Sequence, residues 1–190
     1  MSYATYTTEA IVCGSKDSYT SDRSYLFFTK DAGMLWATAR SVREERSKQR
    51  FALQDFSIIR VSLVKGKGGW RIGSVEAVSN PFMEASERSS RAGISAVLKL
   101  LRRFLHGEVA HPDLYRDAVL ALSCLVAADP TDVVDIQNQF TLRLLHQLGY
   151  IAPKASFTHI LEAADPWSVP EPIPVEAERA ISEALIASHL

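Results

Sequence analysis

Between Arg40 and Arg71, nine lysines and arginines face three carboxylates, a local excess of +6. Five of the nine crowd into one polar stretch, Arg40-Ser41-Val42-Arg43-Glu44-Glu45-Arg46-Ser47-Lys48-Gln49-Arg50, and Lys65, Lys67 and Arg71 follow. Guanidinium forks and ammonium point charges at this density suit phosphate oxygens. Trp36, Phe51 and Trp70 lie among them. Rings interleaved with cations hold single-stranded nucleic acid, with phosphates on the charges and bases on the rings. The expected chemistry is therefore the binding of a nucleic-acid backbone. Arg40, Arg43, Arg46, Lys48 and Arg50 are expected to grip phosphates from a loop, with Lys65, Lys67 and Arg71 extending the track and Trp70 stacking a base. A solvated charge run, with the tryptophans in a core, is the plain alternative.

Other chemistries lack their residues. His106, His111, His146, His159 and His189 are scattered, with no i, i+4 pair and no H-E-x-x-H cluster, so no metal site is expected. Cys13 and Cys124 are far apart in apolar contexts and read as buried, inert thiols of a reducing compartment. Gly66-Lys67-Gly68-Gly69 superficially resembles a phosphate loop. The G-x-x-x-x-G-K-[ST] pattern is missing, however, and the segment joins two strands instead of opening a helix. The sequence holds neither a nucleophile elbow nor a metal-binding carboxylate cluster. No enzymatic activity and no cofactor are expected.

The cations need a scaffold that brings Arg40–Arg50 beside Lys65–Arg71. Thr5 to Val12 is rich in β-branched and aromatic residues, which fit a pleated, half-buried surface. Leu26–Thr29 and Met34–Ala39 flank Lys30-Asp31-Ala32-Gly33, and Phe56–Val64 and Trp70–Val78 flank Lys65-Gly66-Lys67-Gly68-Gly69. Both loops carry Gly where a hairpin needs positive φ. The spacing predicts about five strands closing into a small antiparallel barrel or sandwich, which hides exposed edges. After Asn80-Pro81 the apolar period becomes helical: Ile94, Val97, Leu98, Leu101 and Leu105 share one face, and His106-Gly107 supplies a stop. Pro112 opens a second helix with Leu114, Ala118, Leu122 and Leu125. A third carries Val133, Phe140, Leu144, Leu145 and Leu148 up to Gly149, and a short last one, after the Pro166–Pro174 connection, carries Ile181, Leu185 and Ile186. The reading is α+β, all-β and then all-α, with one unit at 1–80 and another at 81–190.

Charge follows the same division. The 190-residue chain has 21 basic and 22 acidic residues, a net charge of −1 that taken alone argues against a nucleic-acid partner. Residues 1–80 carry 12 cations and 8 acids, whereas residues 81–190 carry 9 and 14, so the neutral average hides a basic half joined to an acidic one. An apolar fraction of 47% and a mean hydropathy of −0.01 exclude a disordered chain. No apolar run approaches the roughly 20 residues of a membrane span. Met1 to Tyr6 shows no basic region leading into an apolar stretch, so no secretory leader is expected and a cytoplasmic location is.

The order of these pieces resembles a known family. Thr8-Glu9-Ala10-Ile11-Val12, Ser21-Asp22-Arg23, Leu26-Phe27-Phe28-Thr29-Lys30, Gly33-Met34-Leu35, Ala39-Arg40-Ser41-Val42-Arg43, Leu53-Gln54-Asp55-Phe56 and Gly66-Lys67-Gly68-Gly69-Trp70-Arg71-Ile72 follow the order of the N-terminal domain of the bacterial recombination mediators of the RecO family. Leu144-Leu145-His146-Gln147-Leu148-Gly149-Tyr150 looks like the end of that family's helical domain. The resemblance spans about residues 5–153. It implies an N-terminal OB-fold barrel followed by an α-helical domain, and a non-catalytic, nucleoid-associated role in recombinational DNA repair. It further implies binding of single- and double-stranded DNA, annealing of complementary strands, and RecA loading together with RecR on DNA coated by single-strand-binding protein, whose acidic C-terminal tail docks on the mediator. Many relatives place a Cys-x-x-Cys zinc module soon after Gly-Tyr-x-x-Pro. Here Gly149-Tyr150-Ile151-Ala152-Pro153 leads into Lys154–His159 with no cysteine, so zinc is expected to be absent from an abbreviated C-terminal region. The alternative function is an OB-fold and helical adaptor that binds RecR or single-strand-binding protein with little DNA binding of its own. An acidic tail would then be received near Arg102, Arg103 or Arg143.

Overall fold

A computed structural model of the chain describes residues 5–18, 21–44, 47–164, 167 and 171–188. Five strands, β1 (Thr5–Asp17), β2 (Arg23–Thr29), β3 (Gly33–Ala39), β4 (Ile58–Gly66) and β5 (Gly69–Ser79), close into a barrel in the order β1-β2-β3-β5-β4. β1 serves two neighbours: residues from Thr5 to Ile11 pair with β4, and those from Ala10 to Asp17 pair with β2. A register shift between Val12 and Gly14 lets the strand turn from one partner to the other, as a bulge does by bending its strand. All pairings are antiparallel except β3 with β5, where Ala37 meets Trp70 and Thr38 meets Arg71. This is the five-stranded OB-type barrel followed by a helical region, α+β overall. Gly33 at φ +72° and Gly69 at φ +102° make the two hairpin turns.

The strands of β1 and β2 are apolar on both faces because both are covered. Inside the barrel, Val12, Phe27, Leu35, Ile59, Val61 and Leu63 form a closed core. On the outside, Ile11, Cys13, Phe28, Met34 and Ile58 belong to the core of the helical region, where Phe28 meets Tyr115 edge-on at 5.6 Å. Two-sided burial is what the unbroken apolar run Ala10–Cys13 encodes. Burial also pushes the Cys13 thiol up to about 12 and makes it inert.

The helical region is built on α3 (Arg88–Phe104), α4 (Pro112–Ala127) and α5 (Val133–Gln147). Ile94, Val97, Leu98 and Leu101 form the buried stripe of α3. Gly93 lies where a Cβ would come 2.9 Å from Leu125 and 3.0 Å from Val133, so the three helices cross closely there. Pro112 starts α4, and Gly149 at φ +80° follows α5. Short helices α1 (Gln49–Ala52), α2 (Pro81–Glu84) and α6 (Thr158–Glu162), none of which the apolar period signals, fill the connections. The last helix, α7 (Val175–Ala187), buries Ile181 but leaves Ile186 75% exposed, which departs from the face expected for it. Arg103 donates to the carbonyl of Leu185 at 2.8 Å and to Ser188 Oγ at 2.9 Å, capping the end of α7. Among the described residues no helix is long and apolar enough to cross a membrane, and no group of three or more His, Cys, Asp or Glu is placed to hold a metal.

Candidate nucleic-acid interface

The polar stretch after β3 is folded back onto the β1–β2 connection. Ser41 donates its N–H to Asp22 Oδ1 at 2.9 Å, Arg43 donates its N–H to the Ser21 carbonyl at 3.2 Å, and Val42 between them is buried in the barrel core. Val42 is buried while its neighbours Ser41 and Arg43, and Arg40 before them, are exposed. Next, α1 is tied to β5 by Gln49 Nε2 donating to the Gly73 carbonyl at 3.0 Å, with Ala52 and Leu53 buried beneath it. Lys48, Arg50 and Phe51 therefore point outward, and the Arg50 guanidinium lies 4.8 Å from the Phe51 ring centre. Arg46 lies outside the described residues.

These anchors frame a cleft of about 490 Å³ on the barrel, whose lining includes Ser15, Tyr25 and Leu53, the cations Arg23, Arg43 and Arg50, and one carboxylate, Asp55. Asp17 lies between two of the arginines, 3.5 Å from Arg23 and 3.6 Å from Arg43, with all three side chains largely in solvent. Such exposed pairs are weak and exchange readily for a competing anion. Desolvation raises the Tyr25 pKa above its usual value, so its hydroxyl stays protonated at neutral pH and able to donate. Arg23 was not among the cations expected from the sequence. Its only signal is the Ser21-Asp22-Arg23 turn, and it counts here because β2 begins at it, opposite Ala39 at the end of β3.

The second group sits on the β4–β5 hairpin. Lys67 is exposed at its tip, and Arg71 is exposed beside Thr38 through the parallel pairing, two residues along β3 from Arg40. Lys65 and Trp70 are occupied. Glu108, in the connection between α3 and α4, accepts from Lys65 Nζ at 2.7 Å through Oε2 and from Trp70 Nε1 at 2.9 Å through Oε1. Trp70 is half-buried against the barrel core, with Lys65 Nζ 4.8 Å from its ring centre and Tyr6 on another side at 6.3 Å. The ring expected to stack bases thus has its edge bonded and is half-buried. The other two rings among the basic residues are exposed: Trp36, 42% on β3, and Phe51, 64% on α1. Sequence spacing had no means of showing Glu108, which reaches the hairpin only through the tertiary fold.

The arginines considered for an acidic tail have separate fates. Arg143 is 5% exposed and fully engaged: Nε and Nη2 meet the Asp117 carboxylate at 2.8 and 3.2 Å, and Nη1 donates to the carbonyls of Ile160, Leu161 and Ala163. Arg103 caps α7. Arg102 is exposed and lies against Gly14 of β1.

Residues 1–81 match the family model described as recombination protein O N terminal, which coincides with the barrel just described. The DNA repair protein RecO of Desulfitobacterium hafniense strain DSM 10664 / DCB-2 is 30% identical over 146 residues, covering 76% of this chain and 52% of that protein. The barrel thus matches the N-terminal family of RecO, and the chain is similar to RecO proteins over these 146 residues. The RecO protein of Dehalococcoides mccartyi is 27% identical over 146 residues, covering 76% of this chain and 56% of that relative. The chain spans about half the length of the curated RecO relatives it matches. In this RecO-like chain, the barrel carries both basic groups, and the helical region contributes the carboxylate that meets one of them.

Proposed function

We propose that this chain acts as a RecO-type mediator in recombinational DNA repair, in the cytoplasm at the nucleoid, and that its role is not catalytic. The match of the barrel to the RecO N-terminal family and the likeness to RecO proteins support a role in DNA repair and recombination. In this reading the barrel unit, residues 1–80, binds single- and double-stranded DNA and screens the repulsion between complementary strands so that they anneal without a nucleotide. The helical unit, residues 81–190, offers surface to RecR and to the acidic tail of single-strand-binding protein during RecA loading. The observation that carries the DNA part is the convergence of Arg23, Arg43 and Arg50 on one concave cleft, with Arg40, Lys48, Lys67 and Arg71 exposed on the same barrel. Binding through such cations weakens steeply with salt, because each neutralised phosphate releases condensed counterion.

The test is a titration of labelled oligonucleotide at several salt concentrations, paired with an annealing assay on complementary strands. Tight binding at low salt, a steep salt dependence and faster annealing are the expected results. Absence of binding at low salt would overturn the reading in favour of the adaptor. One observation favours that second reading: Asp17 already engages Arg23 and Arg43, and Glu108 already engages Lys65. An adaptor would bind RecR or single-strand-binding protein while leaving DNA untouched.

A further inference from the structure

We infer that the hollow between Trp36 of β3 and Arg102 of α3 is a subsite for one unpaired nucleobase of single-stranded DNA, with Lys16 and Arg102 holding the flanking phosphates. The inference rests on the DNA-binding reading above and adds to it a specific place and a specific ring. The hollow measures about 310 Å³, at the small end of ligand sites. It lies where the outer surface of β2 and β3 runs under the end of α3, and this surface is the one that meets nucleic acid in OB barrels.

The lining supplies what a base needs. The indole of Trp36 is one wall and is 42% exposed. Leu26, Met34 and Leu105 add apolar lining, and Arg102 and His106 bring planar nitrogen-bearing groups into the same hollow. Stacking on an indole is tolerant of base identity, because every base has a π-face. Trp70, half-buried with its edge bonded to Glu108, lacks this freedom.

The charges around the hollow are available. Lys16 Nζ lies 4.2 Å from the centre of the Trp36 ring. Among the described residues neither Lys16 nor Arg102 has a carboxylate within ion-pair distance. Arg102 lies over β1 at Gly14, where a Cβ would be in ordinary contact, 3.6 Å, with its Nη1. An exposed ammonium over a ring is held weakly. A base arriving on the indole displaces it and brings a phosphate for it to bind, so Lys16 exchanges one partner for another. The site needs both the barrel and the helical region, since α3 supplies Arg102 and the residues after it supply Leu105 and His106.

The experiment compares an oligothymidylate with an abasic oligomer of the same length, which keeps the phosphates and lacks the bases. Wild type is expected to bind both at low salt, the oligothymidylate more tightly. Trp36→Ala is expected to weaken oligothymidylate binding at least about fivefold, as loss of one base–aromatic stack does, and to leave the abasic oligomer unchanged within about twofold. Trp36→Phe keeps a ring and is expected to retain most of the preference. Arg102→Ala is expected to weaken both probes and to flatten the salt slope by about 0.7. If wild type binds both probes and Trp36→Ala loses affinity equally for both, or for neither, this subsite is wrong while the DNA-binding reading stands. If wild type binds neither probe at low salt, the DNA-binding reading itself fails and the subsite with it.

Discussion

The indole N–H of Trp70 ends 2.9 Å from Oε1 of Glu108, and the other oxygen of that carboxylate receives Lys65 at 2.7 Å. One acidic side chain from the α3–α4 connection thus holds two residues of the basic hairpin. The same connection is pinned nearby, where Met34 donates its N–H to the Gly107 carbonyl at 3.0 Å. Replacing Glu108 with Gln is expected to free Lys65, raise affinity for short single-stranded DNA at low salt and steepen the log–log salt slope by about 0.7. An unchanged slope would show that Lys65 does not reach phosphate.

The same contact sets a pH response. The hydrogen bond from Lys65, and after it that from Trp70, holds the Glu108 carboxyl below its usual value of 4.5. A carboxylate depressed in the folded state stabilises above its unfolded-state pKa, and that contribution is lost as pH falls through the folded one. The clasp is therefore closed at neutral pH and opens only in acid, below 4.5. Trp70 fluorescence should shift over that range in wild type and remain constant in Glu108→Gln. A shift of equal size in both proteins would assign the change to another group.

The arginine cleft has a counting signature. Arg23, Arg43 and Arg50 line it together. At about 0.7 per phosphate contact on single strands, the triple alanine variant should flatten the salt slope by about two. Retention of the wild-type slope would move the phosphate path away from this cleft.

Gly33 is irreplaceable for two reasons that act together. Its φ of +72° is strained for any residue with a side chain, and a Cβ would fall inside van der Waals contact of the Val109 backbone. Gly33→Ala should lower stability by at least about 3 kcal/mol, left-handed strain alone accounting for about 1–3 kcal/mol. Urea unfolding measures this, and a loss under about 1 kcal/mol would contradict the close approach.

Arg143 and Asp117 are both almost fully buried, and Gln147 Nε2 adds a third bond to the carboxylate at 2.7 Å. Removing one partner leaves a buried charge unpaired, so Arg143→Met should cost about 3–5 kcal/mol. The double replacement Asp117→Leu with Arg143→Met should recover a large part of that loss in the same urea experiment. Equal instability of the single and double variants would show that the carbonyls on Arg143, not the ion pair, carry the effect.

Local signals in the chain specify much of this architecture. Gly33 and Gly69 occupy the turns their loops demand, and Pro112 and Gly149 bracket helices as their backbones require. The basic stretch and the hairpin cations are equally visible as charge. What the sequence conceals is tertiary. The division of β1 between two partners rests on a bulge near Cys13, for which Gly14 within the strand is the single local sign. Val42 looks like one apolar residue in a charged loop, yet it plugs the barrel between exposed neighbours. Arg143 and Asp117 lie 26 positions apart on different helices, and each alone reads as an ordinary solvated charge. Trp36 and Trp70 are the same residue type on adjacent strands, and the approach of Glu108 together with packing against the barrel core separates the tethered ring from the open one.

The sidedness of the first two strands has a consequence for how the chain comes off the ribosome. Synthesis completes the barrel first, and at that moment Ile11, Phe28, Met34 and Ile58 still face water, because their partners on α3 and α4 have not been made. Until then the nascent protein carries a greasy flank that invites association with its own kind or a chaperone. A fragment cut after residue 80 would be frozen at that stage, and one beginning there would lack the other half of the same seam.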